Sequence, residues 1–159
     1  MYQRILVPID GSPTSDRGLD EAIALAKLCG GHLRLVHGVD ELGYATGFET
    51  YAAYAKDVIP AMKKAGQELL ERGKQRAEGQ SVPVDAVLLE GLGVRLSDMV
   101  IEHAKSWKAD LILIGTHGRR GIRRLLLGSD AEQILRLSPV PVLLVHGMTD
   151  DAGRSPTTE

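Results

Sequence analysis

The sequence predicts an α/β fold in which helices cover both faces of an open parallel β-sheet. Five short runs are nearly continuous in aliphatic and β-branched residues, which is typical of strands buried on both faces. Segments with helical periodicity separate these runs. The resulting β-α-β-α-β-α-β-α-β order gives a parallel sheet when its crossovers are right-handed. At 159 residues the chain has the size of a single domain.

The first strand and the first helix have clear boundaries in the sequence. The apolar run RILVPI predicts a strand over residues 4–9. Ser12 is a good N-cap residue, and Pro13 follows it at the first helical position, where proline is favoured. The helix is predicted to end at Gly30-Gly31, because glycine accepts the left-handed conformation that closes a helix.

The second strand leads to the least regular part of the chain. LRLVHGV predicts a strand over residues 33–39, and an amphipathic pattern predicts a helix over residues 50–79. Gly66 and Gly73 weaken that helix. The insert at residues 41–54, ELGYATGFETYAAY, is open to two interpretations: a mobile flap, or the start of a helix packed on a partner.

The second half of the chain repeats the alternation. Strands are predicted over residues 84–89, 110–115 and 140–146, and a third helix over residues 94–108. A fourth helix starts near Gly128-Ser129 and runs to Ser138-Pro139. The predicted buried stripe of the third helix consists of Leu96, Met99, Val100, His103 and Trp107.

Composition excludes several classes of function. The chain is 43% hydrophobic and 25% charged, with a formal net charge of -2, so no overall positive field favours nucleic acid or anionic lipid. No apolar run approaches the roughly 18 residues of a membrane span. The first residues lack signal-peptide architecture, which predicts a cytoplasmic protein. Cys29 is the only cysteine, so an intramolecular disulfide and a cysteine-rich zinc site are excluded.

Two loops are the candidate sites, because ligands of doubly wound sheets bind beyond the carboxyl ends of the strands. The first loop is PIDGSPTSD, and the second is GTHGRRGIRRLLLGS at residues 115–129. Glycines let backbone N–H groups approach an oxyanion, and a helix N-terminus favours negative charge. The alternative is a glycine-rich surface loop in which Ser129 is a simple N-cap. The arginines lack the interleaved aromatic residues of a nucleic-acid site.

The spacing of the second loop carries a family resemblance. Gly115-x2-Gly118-x9-Gly128-Ser129 resembles the nucleotide-binding signature of the universal stress protein family, in its ATP-binding branch. Further similar segments are ILVPIDGS, LVHGVD, ADLILIGTHGR and SPVPVLLVH. The resemblance covers residues 2–147 except the insert around 41–60. It implies a Rossmann-like fold with strand order 3-2-1-4-5 and one domain over residues 1–147, and we expect residues 148–159 to be a disordered tail.

The resemblance also implies a set of ligand contacts. Pro8, Ile9 and Asp10 correspond to the contacts with adenosine, and Gly38 lies where the family's backbone hydrogen-bonds to adenine. The phosphate contacts correspond to Gly115, Gly118, Gly128, Ser129 and the N–H of Asp130. Arg119 lies between two loop glycines, where its charge can reach a triphosphate.

Several of these residues have structural alternatives. The Asp10 carboxylate could cap the following helix instead of contacting adenosine. The Asp130 side chain could help to coordinate a divalent cation, but a first-turn helix acid pointing away is favoured. The histidines have no short ligand spacing, so a metal cluster is not expected, and His103 is expected to face the core.

The sequence therefore predicts a cytoplasmic protein that binds ATP, or another adenine nucleotide, together with Mg²⁺, as a sensor or regulator. No P-loop and no identifiable catalytic set is present, so any hydrolysis should be slow. The alternatives are a slow ATPase that uses Asp10 and Asp130, and an interaction module without a ligand. The last strand, Val140 to His146, is expected at a sheet edge and, by the resemblance, in a homodimer interface.

Overall fold

The structure, a computed structural model, describes residues 1–41, 51–116 and 127–147, with the backbone alone for residues 51–54. A five-stranded parallel sheet has the strand order β3-β2-β1-β4-β5. The elements in chain order are β1 (Arg4–Pro8), α1 (Pro13–Cys29), β2 (His32–Asp40), α2 (Tyr51–Glu78), β3 (Val84–Gly91), α3 (Leu96–Trp107), β4 (Leu111–Gly115), α4 (Ser129–Leu137) and β5 (Val142–Val145). The predicted fold class and strand order are confirmed.

β1 is the central strand of the sheet and pairs on both sides. Ile5 lies opposite Leu33 of β2 and opposite Leu111 of β4. The chain moves outward from β1 to β2 and β3, and then returns to β4 on the other side of β1. The strand order therefore reverses between β1 and β4, which is the position where this class of sheet forms its ligand crevice.

The core consists of two layers, one on each face of the sheet. Ile5 and Val7 lie in the layer covered by α1 and α2, whereas Leu6 lies in the layer covered by α3 and α4. These three side chains are at most 1% exposed, and burial of each stabilises the fold by roughly 1.5–3 kcal/mol. Burial on both faces explains the continuous apolar runs in the sequence.

The predicted ends of α1 are confirmed. The Ser12 Oγ atom accepts a hydrogen bond from the Ser15 N–H at 3.2 Å, so Ser12 is the N-cap. Gly30 closes the helix with a φ of 64° and donates its N–H to the Ala26 carbonyl. Cys29, the last helical residue, is half-buried.

The predicted stripe of α3 is partly wrong. The buried residues are Ser97, Val100, Ile101 and Ala104, whereas the other members of the stripe are half-buried. The difference arises because α3 packs against α4 as well as against the sheet, which turns its most buried face away from the β3 edge. His103 is half-buried, and its Nε2 atom is fully buried and has no hydrogen-bond partner in the described part of the chain.

β5 is shorter than the predicted strand at residues 140–146. It covers Val142–Val145, and Pro141 precedes it and accepts a hydrogen bond from the Ile112 N–H at 3.0 Å. Proline has no N–H with which to extend the ladder. β5 is an edge strand, as expected. Among the described helices, none is both long and apolar enough to span a membrane.

Gly66 of α2 allows the helix to lie close to the sheet. A Cβ atom at this position would be 2.7 Å from His37 Cδ2 and 2.9 Å from Leu88 Cδ1. The sequence predicts a weakened helix here, because glycine costs about 1 kcal/mol relative to alanine. The structure shows that this residue makes room for side chains of β2 and β3.

We predict that Gly66→Ala destabilises the protein although it improves helix propensity. Overpacking costs about 1–3 kcal/mol, which exceeds the gain of about 1 kcal/mol, so urea unfolding should show a small net loss. Gly18→Ala is the matched control in α1, because its new Cβ would be 3.5 Å from the nearest atom, an ordinary contact. The control should be as stable as the parent or more stable. Equal stability of the two variants would contradict the prediction.

Candidate functional site

The segment after β1 is fixed by hydrogen bonds to its own side chains. The Ile9 N–H continues the ladder to the Val36 carbonyl at 2.8 Å, and the Asp10 N–H donates to Ser15 Oγ at 3.1 Å. The Asp10 carboxylate accepts the Ser12 N–H at 2.9 Å. The N-cap residue of α1 is Ser12, and the Asp10 carboxylate bonds to the N–H of that residue. The carboxylate thus holds the turn that leads into α1.

The segment after β4 starts and finishes at two residues that are hydrogen-bonded to each other, Thr116 and Gly128. The Thr116 N–H donates to the Val145 carbonyl at 3.0 Å, and the Gly128 N–H donates to the Thr116 carbonyl at 2.9 Å. The two ends of the excursion over residues 117–126 therefore lie side by side. Gly118 and Arg119 belong to this excursion and lie outside the described residues.

Gly115 is the point where the two loops come together. A Cβ atom on Gly115 would be 2.9 Å from the Thr14 carbonyl oxygen and 3.0 Å from its carbon. Backbone atoms cannot move aside as a flexible side chain can. The end of β4, where the second loop begins, therefore lies directly against the first turn of α1.

The N-terminus of α4 points its amides into the same region. The N-cap residue is Gly128, so no side chain caps the helix, and Ser129 is the first helical residue. The interpretation of Ser129 as the N-cap is therefore wrong. The first amide to bond within the helix is that of Glu132, which donates to the Gly128 carbonyl at 2.9 Å. The N–H groups of residues 129–131 thus have no intrahelical acceptor, and the helix dipole makes this end positive.

Gly38 lies near the carboxyl end of β2, and its backbone polar groups point to the side of β1. Both backbone groups of a residue in a parallel strand point to the same neighbour, and successive residues alternate. Val36 bonds to Ile9 on the β1 side, so Gly38 points the same way but beyond the end of β1. A Cβ atom on Gly38 would overlap the side chain of Leu96.

The structure thus brings most of the predicted residues together at the carboxyl ends of the strands. Asp10, Gly38 and Gly115 follow or end neighbouring strands, and Ser129 and Asp130 begin α4 beside them. Pro8 and Ile9 are buried, and both polar backbone groups of Ile9 are already bonded, to Val36 and to His37. The donors assembled here are mostly backbone N–H groups, which suit oxyanions and the edges of a heterocycle.

Sequence reasoning missed three residues that organise this edge. Ser15 holds the Asp10 N–H, and His37 places its Nδ1 atom 2.8 Å from the Ile9 carbonyl oxygen. Lys63 of α2 bridges Glu41 and Glu90 at 2.8 Å each, and these hydrogen bonds raise the pKa of Lys63 above its ordinary value. The only available signal was the position of His37 directly before Gly38.

Two shifted pKa values lie outside this edge. Burial would raise the pKa of Asp85, but hydrogen bonds from Arg34 at 2.6 and 2.8 Å and from His32 at 3.1 Å lower it below its ordinary value. Burial, assisted by the charge of Arg34, lowers the pKa of His103. His103 lines an open groove of about 420 Å³ between β3 and α3. The lining of this groove also includes Glu90, which pairs with Lys63, and Met99, which lies beside Gly38.

Acidic, histidine and cysteine side chains are not grouped for metal binding in the described part of the chain. No cluster of three or more of them is placed to hold an ion there. A cation that accompanies a phosphate ligand would take most of its oxygen ligands from the phosphate and from water.

We predict that Ser15→Ala destabilises the protein by about 1–3 kcal/mol, because the partly buried Asp10 N–H loses its acceptor. Ser106→Ala is the control: its Oγ atom also bonds to a backbone group, the His103 carbonyl, but the residue is exposed. The control should change the free energy of unfolding by no more than about 0.5 kcal/mol in urea. Equal effects of the two substitutions would show that Ser15 does not fix the turn.

The sequence of the chain is similar to those of known proteins of one family. The profile of the Universal stress protein family matches residues 1–146. A universal stress protein of Methanocaldococcus jannaschii is 33% identical over 145 residues, which cover 91% of this chain and 82% of that protein.

Solved structures of the same family are similar in fold. A family protein of Burkholderia pseudomallei has a TM-score of 0.72 at 28% identity, over 91% of this chain and 96% of its own. A universal stress protein in complex with cAMP has a TM-score of 0.65 at 26% identity, over 92% and 98% of the two chains. Because the family profile matches nearly the whole length of the chain, the chain belongs to the universal stress protein family.

Proposed function

We propose that this protein binds ATP or another adenine nucleotide in the cytoplasm and acts as a nucleotide-dependent sensor or regulator. The observation that carries the proposal is the position of the N-terminus of α4, which has no side-chain cap and lies beside the crevice between β1 and β4. The family relative bound to cAMP supports the adenine nucleotide as ligand class. The functional unit is one domain over residues 1–147.

The described residues provide complementary groups for both ends of such a ligand. Gly38 offers backbone groups to adenine, and the half-buried Asp10 carboxylate lies where it can reach the ribose hydroxyls. The amides of Ser129 and Asp130 face the phosphates, with Gly115 allowing a close approach. The Gly128 N–H already bonds to Thr116, so Gly128 acts by shaping the turn. Gly118 and Arg119 complete the phosphate contacts.

Mg²⁺ accompanies the phosphates in this proposal. Asp130 and Glu132 are both first-turn acids of α4, where carboxylates stabilise the helix by their interaction with its dipole. The ion therefore depends mainly on phosphate oxygens and water. The assembled groups bind and orient a nucleotide, and we infer that turnover is slow at most.

We predict that the purified protein binds ATP with magnesium in calorimetry and releases adenine nucleotide when it is denatured. Asp10→Ala should weaken ATP binding about tenfold, the effect of losing one hydrogen bond to a charged group. Asp16→Ala is the control, because Asp16 is an exposed acid in the first turn of α1. Its affinity should stay within about twofold of the parent. Failure to bind ATP would refute the proposal, and equal affinities of the two variants would remove Asp10 from the site.

We also propose a homodimer formed through β5. The bonding pattern with β4 turns the backbone groups of Val142 and Leu144 outward, so this edge can pair with another strand. Leu143 of β5 is 43% exposed. The outward edge of β5, together with Leu143, is the surface that a second copy would cover.

We predict that Leu143→Glu converts a dimer into a monomer in light scattering at micromolar concentration, because a charge would be buried in the interface. Leu28→Glu is the control: Leu28 is 85% exposed near the end of α1, away from β5. That variant should stay dimeric. A monomeric parent protein, or a dimeric Leu143→Glu variant, would refute the β5 interface.

A further inference from the structure

The hydrogen-bond ladder between β1 and β2 stops one step earlier than the length of β2 allows. Residues of β2 with even numbers face β1: the His32 N–H donates to the Gln3 carbonyl, and the Val36 carbonyl accepts the Ile9 N–H. The next bond of a regular parallel ladder would join the Gly38 N–H to the Ile9 carbonyl. No backbone hydrogen bond joins these two residues, both of which the structure describes.

The side chain of His37 takes the place of that missing bond. Its Nδ1 atom lies 2.8 Å from the Ile9 carbonyl oxygen. A carbonyl can only accept, so Nδ1 carries the proton and donates it. The Ile9 carbonyl is thus occupied by the imidazole, and the Gly38 N–H remains unpaired within the described residues, directed beyond the end of β1.

The imidazole is held in place from the opposite side by α2. Gly66 leaves the space for it, since a Cβ atom there would be 2.7 Å from His37 Cδ2 and 3.4 Å from Nε2. The close packing restricts the ring to a position from which Nδ1 reaches Ile9. A helix residue of any other type would displace the ring or the helix.

The same peptide group is also fixed at its other end. The Ile9 carbonyl and the Asp10 N–H belong to one peptide unit, and the Asp10 N–H donates to Ser15 Oγ at 3.1 Å. His37 and Ser15 therefore hold both polar groups of the Ile9–Asp10 peptide. Its plane sets the direction in which the Asp10 side chain leaves the backbone.

We propose that His37 is a positioning residue for adenine recognition, which keeps the Gly38 N–H free by occupying the Ile9 carbonyl. The proposal rests on the proposed nucleotide-binding function and assigns its base selectivity. A free N–H and C=O on one residue form a donor and acceptor pair, which matches the ring nitrogen and the exocyclic amine of adenine. Guanine has an oxygen and a protonated nitrogen at the corresponding edge, so it fits poorly.

Binding to two probes tests the role of His37. His37→Phe removes the donor and keeps a ring, and it should weaken ATP binding about tenfold, the effect of about one lost hydrogen bond. Inorganic tripolyphosphate engages only the phosphate end, so its affinity should stay within about twofold. His37→Asn places an amide donor where Nδ1 was, and it should restore most of the ATP affinity and the preference for ATP over GTP. A purely structural role would weaken both probes together, which would overturn the proposal.

Amide exchange in the unmodified protein gives a second test that does not depend on a variant's folding. Without nucleotide, the Gly38 amide should exchange at least about tenfold faster than the Val36 amide, which lies inside the ladder, and ATP should protect it. Equal protection of the two amides without nucleotide would overturn the proposal. Absence of ATP binding would refute the proposed function as well, whereas ATP binding that His37→Phe leaves unchanged would refute the role of His37 alone.

Discussion

The early end of β1 is the constraint on which the candidate site depends. Pro8 lies opposite Val36, but β2 continues to Asp40 and stays paired with β3 as far as Gly91. On the other side, Leu6 lies opposite Ile112, and β4 continues to Gly115. Both neighbours extend past the central strand, so a notch remains between them. The Ile9–Asp10 peptide is its floor, and Gly38 and Gly115 lie on its two sides.

Much of this arrangement follows from the sequence because it depends on local patterns. The five strands were predictable from apolar runs, and the ends of α1 from Ser12 and Gly30, because each of these signals acts over a few residues. The positions of Asp10 and Gly115 at one edge followed from the family resemblance and from the general behaviour of parallel sheets. These predictions needed no knowledge of how the helices pack.

Other features depend on contacts between distant parts of the chain, which one sequence does not show. The buried face of α3 was misjudged because periodicity identifies an apolar stripe but cannot show that α4 packs against one side of it. In the sequence Ser129 is a good N-cap residue, but the Glu132 N–H donates to the Gly128 carbonyl, which makes Gly128 the N-cap. The bond from His37 to Ile9 links positions 28 residues apart.

The amino and carboxyl ends of the parallel strands satisfy their polar groups in different ways. The residues that stabilise the sheet are therefore different from those that are proposed to bind the ligand. At the amino edge the Asp110 carboxylate accepts the N–H groups of Gln3 and Arg4, and Arg4 also donates to the Trp107 carbonyl at the end of α3. Arg34 forms its paired hydrogen bonds with Asp85 there and lies 4.6 Å from the Trp107 ring centroid.

At the carboxyl ends of the strands, the Gly38 N–H and the first amides of α4 have no hydrogen-bond partner among the described residues. An unpaired N–H costs free energy when it is buried, so such groups persist only where water or a ligand can reach them. The ion pairs and caps at the amino edge hold the strands and α3 in register without using any group of the notch. The chain can therefore leave donors unpaired at one edge because the opposite edge fixes the positions of the strands that carry them.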